Sequence, residues 1–115
     1  MYLACVPIPE FPGVHHSPNI VETPAVYELE NLAADPEGQI EPAMERVKPW
    51  EGMVLADIGA GTGYHAVRFA QMAKHVIAVE PIAHLRLATM RRVFEQAAGN
   101  VSVAGGSAEF SFPVR

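Results

Sequence analysis

Asp57, Gly59, Gly61 and Gly63 stand on alternate residues in the stretch ADIGAGTGYH, which runs from Ala56 to His65. The apolar run Met53-Val54-Leu55-Ala56 lies directly ahead of them. Glycine inside a regular element costs about 1 kcal/mol against alanine. Three so close together, with only Ala60 and Thr62 between them, mark a place where the chain turns tightly or a ligand approaches the backbone. A second acid, Glu80, ends another apolar run, His75-Val76-Ile77-Ala78-Val79. In an open parallel sheet, ligands bind beyond the carboxyl ends of the strands, and a carboxylate there accepts hydrogen bonds from a ribose diol. Read this way, the glycines make room for an adenosine-containing ligand.

Other chemistry has less support. The histidines are at 15, 16, 65, 75 and 84, and no pair has the helical i, i+4 spacing with a carboxylate partner that a metal site needs. No metal is expected. His65 differs by position, since it follows the glycines and borders the same space. The lone Cys5 has no base near it in sequence and so no route to a thiolate nucleophile. Two ligands fit the turn. Gly61-Thr62-Gly63-Tyr64-His65-Ala66 satisfies the dinucleotide pattern G-x-G-x-x-G/A, which leaves a nicotinamide cofactor open. Against it, the glycine series already begins at Gly59 and is preceded by Asp57, an acid that suits an ammonium group better than a pyrophosphate.

The elements that hold these residues follow from periodicity. Val54 to Ile58 reads as a buried strand ending at the glycines, 75–80 as a second strand and 101–104 as a third, ending at Gly105-Gly106. Between them, 64–74 and 82–97 read as helices. The second carries Leu87, Met90, Phe94 and Ala97 on one stripe, and Gly99-Asn100 stops it. Strands joined by helices imply a parallel sheet with right-handed crossovers. Upstream, Thr23-Pro24 is a helix start, Asp35-Pro36-Glu37 a break with a second start, and Pro49 a stop. Residues 1–22 are a proline-rich arm and 23–50 a helical extension.

The chain has 115 residues, a net charge of −5, eight scattered Lys and Arg, and a single cysteine. No basic groove for nucleic acid, no disulfide framework and no apolar stretch of membrane-spanning length is visible. The expectation is a cytoplasmic protein.

Asp57-x-Gly59-x-Gly61-x-Gly63 resembles the first motif of the class I S-adenosylmethionine-dependent methyltransferases, D/E-x-G-x-G-x-G. Val79-Glu80-Pro81 resembles their second motif, whose acid binds the ribose. Gly106-Ser107-Ala108-Glu109 resembles the third, where an acid meets the adenine amino group and the next backbone N–H meets a ring nitrogen. Here Ser107 replaces that acid, and a hydroxyl accepts more weakly and reaches less far. The resemblance covers about residues 53–113, and 20–50 are similar to the helical extension of some bacterial members, in which Tyr27 either lids the cofactor or packs in the core. It implies a Rossmann-like α/β fold with three strands in the order 3-2-1, incomplete against the roughly seven strands of the family, so that 51–115 is the first half of the methyltransferase domain. It further implies S-adenosylmethionine as cofactor, held by Asp57, Gly59, Ala60, Gly61, Gly63, Glu80, Pro81, Ser107 and Ala108. The implied activity is methyl transfer to a small-molecule acceptor. No catalytic residue is assigned, because this half offers no general base. The alternatives are a non-catalytic cofactor-binding fragment and an NAD-binding enzyme. The strand at 54–58 would be an open edge, so self-association or a missing carboxyl-terminal half is expected.

Overall fold

The computed structural model describes residues 24–108. The arm at 1–22, with Cys5, His15 and His16, and Glu109, Phe110 and Phe112 lie outside the described residues. Helix α1 spans Pro24–Ala34, with its proline in the first turn, where a missing N–H costs nothing. The Asp35 carboxylate then accepts the backbone N–H groups of Gln39 and Ile40 at 2.8 and 2.9 Å, capping helix α2, Ile40–Val47. Pro42 sits in the first turn of α2 and is tolerated for the same reason as Pro24. Lys48 is extended, as a residue before proline must be, and the helix stops there.

Strand β1, Val54–Ile58, leads through the glycine turn to helix α3, Tyr64–Phe69. Strand β2, His75–Val79, leads to helix α4, Ala83–Glu95, and strand β3, Val101–Ala104. The sheet is parallel throughout, in the order β1-β2-β3, with Leu55 opposite Val76 and Val76 opposite Val101. Helices α3 and α4 pack on each other and on β2 and β3. Leu55, Val76, Ala78 and Val101 therefore meet Ala66, Phe69, Ala73 and Val93 in one core layer. Trp50 closes that layer at the end of the extension. It is 6 % exposed and stands edge-on to Phe69, with ring centres 5.4 Å apart.

Four expectations change. Helix α3 ends at Phe69 rather than near residue 74. Gln71 and Met72 bond three residues back, and the Asn100 amide donates to the carbonyls of Ala70 and Ala73 at 2.8 and 3.1 Å. Helix α4 ends two residues before the expected limit. Ala97 adopts φ +50°, its N–H reaching the Phe94 carbonyl and that of Ala98 the Val93 carbonyl, which is a Schellman cap made by alanine ahead of Gly99. The stripe Leu87, Met90, Phe94 lies outward, at 58, 47 and 86 % exposure, while Leu85 and Thr89 are buried.

Strand β1 alternates instead of being buried on both faces. Leu55 and Asp57 are half-buried under the helices, whereas Val54, Ala56 and Ile58 are exposed.

Candidate cofactor site

Because the strands are parallel, their carboxyl ends lie on one side. There the structure gathers Asp57 at the end of β1, the glycine turn, Glu80 and Pro81 after β2, and Ser107 and Ala108 beyond β3. The turn hangs from β2, where the Val79 carbonyl accepts the N–H groups of both Gly59 and Ala60, at 2.8 and 3.0 Å. All three glycines have left-handed φ, between +60° and +78°. Their surroundings differ. A Cβ on Gly59 would meet open space, one on Gly61 would come within 2.9 Å of the Tyr27 ring, and one on Gly63 within 2.8 Å of the Thr89 methyl. Only Gly59 therefore borders vacant room. Gly61 is covered by α1 and Gly63 by α4.

Glu80 is 5 % exposed, and its two carboxylate oxygens do separate jobs. Oε1 accepts the Gly61 N–H at 3.0 Å and Oε2 the Ile82 N–H at 2.8 Å. The expected ribose acid thus also anchors the glycine turn, nineteen residues away in sequence. Each oxygen keeps a further lone pair for a ligand. Burial pushes the Glu80 carboxyl up, and the two amides only partly offset it. Asp57 is likewise pushed up by burial, with the His65 charge opposing.

Sequence reasoning missed a second set of residues that fixes the turn from behind. The Thr89 hydroxyl donates to the Gly61 carbonyl at 2.8 Å. The Thr62 hydroxyl donates to the Glu28 carboxylate, which also pairs with Arg92, so α1, the turn and α4 are joined at one carboxylate. Arg92 and Arg68 both lie over the Tyr64 ring, at 5.6 and 5.4 Å. Glu41, also missed, is buried and reaches His65 and Arg68. These contacts join elements far apart in sequence, and no periodic pattern announces them. Among the described residues, no group of three or more His, Cys, Asp or Glu is placed to hold a metal ion.

The family model for protein-L-isoaspartate(D-aspartate) O-methyltransferase matches residues 39–113. The chain belongs to that family. It is thereby one of the class I S-adenosylmethionine-dependent methyltransferases, with their Rossmann-like fold in incomplete form. The match reaches back past the motifs to take in α2, and α1 stands outside it. Among solved structures, this methyltransferase chain is similar to the YcgJ protein from Bacillus subtilis, at 26 % identity and a TM-score of 0.58 over 64 % of this chain and 31 % of that one. It is also similar to a dimethyladenosine transferase from Plasmodium falciparum, at 22 % identity and a TM-score of 0.59 over 68 % of this chain and 29 % of that one. The methyltransferase chain described here thus spans about a third of the length of either. No curated protein matches it.

Proposed function

We propose that the chain binds S-adenosylmethionine at the carboxyl ends of β1 to β3 and serves methyl transfer to a carboxylate oxygen. The observation that carries this reading is the bond between Glu80 and the Gly61 amide, which makes the second-strand acid and the glycine turn one rigid unit. The residues present fit the cofactor. Gly59 leaves open space over the turn, and Asp57 holds a half-buried carboxyl at its edge. In the proposed arrangement Glu80 holds the ribose hydroxyls, Asp57 faces the ammonium, and Ser107 and the Ala108 N–H border the adenine. When bound, the cofactor supplies an electrophilic methyl group on a sulfonium. The chain's own contribution is alignment, since a nucleophile held in line with that methyl gains most of its rate from proximity.

The family's description supplies the acceptor class, a carboxylate. Helix α1 lies outside the matched residues and covers Gly61 through Tyr27, which narrows the approach to the turn. A small carboxylate-bearing molecule is therefore the proposed acceptor, and an isoaspartyl peptide is the comparison in the assay. The single cysteine agrees with a reducing cytoplasmic setting. No described helix is long and apolar enough to cross a membrane.

Calorimetric titration with S-adenosylhomocysteine, S-adenosylmethionine and NAD tests the reading. Binding of the first two and not the third is expected. Binding of NAD alone, or of none, overturns it.

A further inference from the structure

Helices α1 and α4 leave a cleft of about 280 Å³ between them. Ala25 on α1 and Ala88 on α4 line it, and such short side chains on both walls make the room. Its deep end is Thr62 of the glycine turn, which is 2 % exposed, and its rim carries Arg91 and Glu95, both exposed. That volume stands at the lower end of the range for small-molecule sites, roughly 300–1,000 Å³. It suits a small metabolite rather than a peptide. None of Asp57, Gly59, Glu80 and Ser107 lines the cleft, so it is separate from the cofactor site. Its α1 wall lies outside the residues that the family model matches.

The polar groups of the walls are unevenly spent. Glu28 has both oxygens engaged, Oε1 by the Thr62 hydroxyl and Oε2 by Arg92. Arg92 is thereby fixed, with its guanidinium over the Tyr64 ring, and its side chain is only 20 % exposed. It gives one N–H to Glu28 and keeps the others of its fork for a further acceptor. Arg91 has no hydrogen-bond or ion-pair partner among the described residues. The unused capacity of the cleft is therefore mostly donor, in the two side chains whose forks match carboxylate and phosphate oxygens. The opposing charge is Glu95, one turn from Arg91 on the same helix and not paired with it. Glu95 stands at the exposed rim, where water screens it, whereas Arg92 acts from deeper in the cleft.

We propose that the cleft between α1 and α4 is a binding site for the oxyanion group of a small metabolite, a carboxylate or a phosphate, held between Arg91 and Arg92. Arg92 is the preset contact, and Arg91 closes on the anion from the rim. Through Glu28, which Arg92 and Thr62 share, the site touches the glycine turn from behind. The proposal does not depend on which cofactor the turn binds. Sequence spacing conceals it, because Glu28 and Arg92 are sixty-four residues apart.

The experiment is calorimetric titration of the full chain at low ionic strength with succinate and with inorganic phosphate, and with succinamide as the uncharged control. One site per chain for at least one of the two anions, and none for succinamide, is expected. The tighter of the two identifies the oxyanion as carboxylate or phosphate. Arg91→Ala removes an exposed side chain that holds nothing else and is expected to weaken the anion roughly tenfold. Ala88→Leu fills the cleft without changing its charge and is expected to abolish binding. Glu95→Gln removes the opposing charge and is expected to tighten the anion roughly twofold. Arg46→Ala, on α2 and away from the cleft, is expected to leave it unchanged. Thermal unfolding checks that each variant folds, and if Ala88→Leu does not, Arg91→Ala and Glu95→Gln decide. Saturation with S-adenosylhomocysteine is expected to leave the anion in place. The site is wrong if neither anion binds the parent, if Arg91→Ala binds like the parent, if Arg46→Ala loses as much as Arg91→Ala, or if S-adenosylhomocysteine displaces the anion. Anion binding by a chain that binds no S-adenosylhomocysteine leaves this site standing and removes the cofactor reading alone.

Discussion

Asp57 sets a function against stability. Burial pushes its carboxyl up, and the His65 charge only partly offsets this. A group that holds its proton more tightly when folded weakens the fold as pH rises from the ordinary carboxylate range through the raised folded value, and the loss persists at neutral pH. Asp57→Asn should therefore be more stable than the parent at about pH 7, and the difference should close as pH falls below about 4. Urea unfolding at the two pH values checks this, and equal or lower stability of the variant at neutral pH would refute it. The same variant should lose roughly tenfold or more in S-adenosylhomocysteine affinity, because an amide cannot match a carboxylate as acceptor for an ammonium. Glu80 shifts in the same direction and Glu41 in the opposite one, its depressed value giving stability that is lost as pH falls. Glu41 is common to parent and variant, whereas the Asp57 charge is one of the causes that raise Glu80, so its removal also relaxes Glu80 and adds to the gain at neutral pH. Asp57 and Glu80 could be picked out from sequence because each ends an apolar run. What they touch could not, since the Gly61 amide on Glu80 and the imidazole near Asp57 arrive through the fold.

At the scale of elements, α4 shows where a hydrophobic pattern misleads. Leu87, Met90 and Phe94 form its most apolar stripe, yet Leu85, Thr89 and, in part, Val93 face inward. The helix is turned by about a quarter to a half revolution from the orientation that apolarity alone selects. The physical reason is Thr89, whose hydroxyl serves the Gly61 carbonyl and whose methyl fills the room beside Gly63. Thr89→Val keeps the shape and removes the donor, so it should cost about 1–3 kcal/mol by leaving a buried carbonyl unpaired. Phe94→Glu, at 86 % exposure, should stay within about 0.5 kcal/mol of the parent. Thermal unfolding of the two variants decides which face carries the load, and the reverse ranking would restore the stripe as core. The existence, type and order of every described element were legible, because strand and helix periods differ and glycine or proline punctuates them. The phase of α4 was not, because it is set by one polar contact.

At the scale of the whole molecule, β1 is the exposed border. Among the described residues it pairs only with β2, and Val54 and Ile58 stay 55 and 38 % exposed. An apolar edge with unpaired N–H and C=O groups is a template for another chain. The 115-residue chain is expected to self-associate at low micromolar concentration, and Val54→Lys should shift it toward monomer at little cost in stability, since a charge there blunts the edge. Sedimentation velocity on both checks this, and a monodisperse parent monomer would remove β1 as the contact. The extension adds a property of another kind. Trp50 is the chain's sole tryptophan, sealed against Phe69 where α2 hands over to the sheet. Its indole N–H is buried and unmatched among the described residues, so the ring sits in an environment of low polarity. The protein thus carries its own fluorophore at the seam between extension and sheet. Its emission should be blue while the seam is shut and redden when α2 lifts away, so undocking can be watched by colour, without a label and without a ligand.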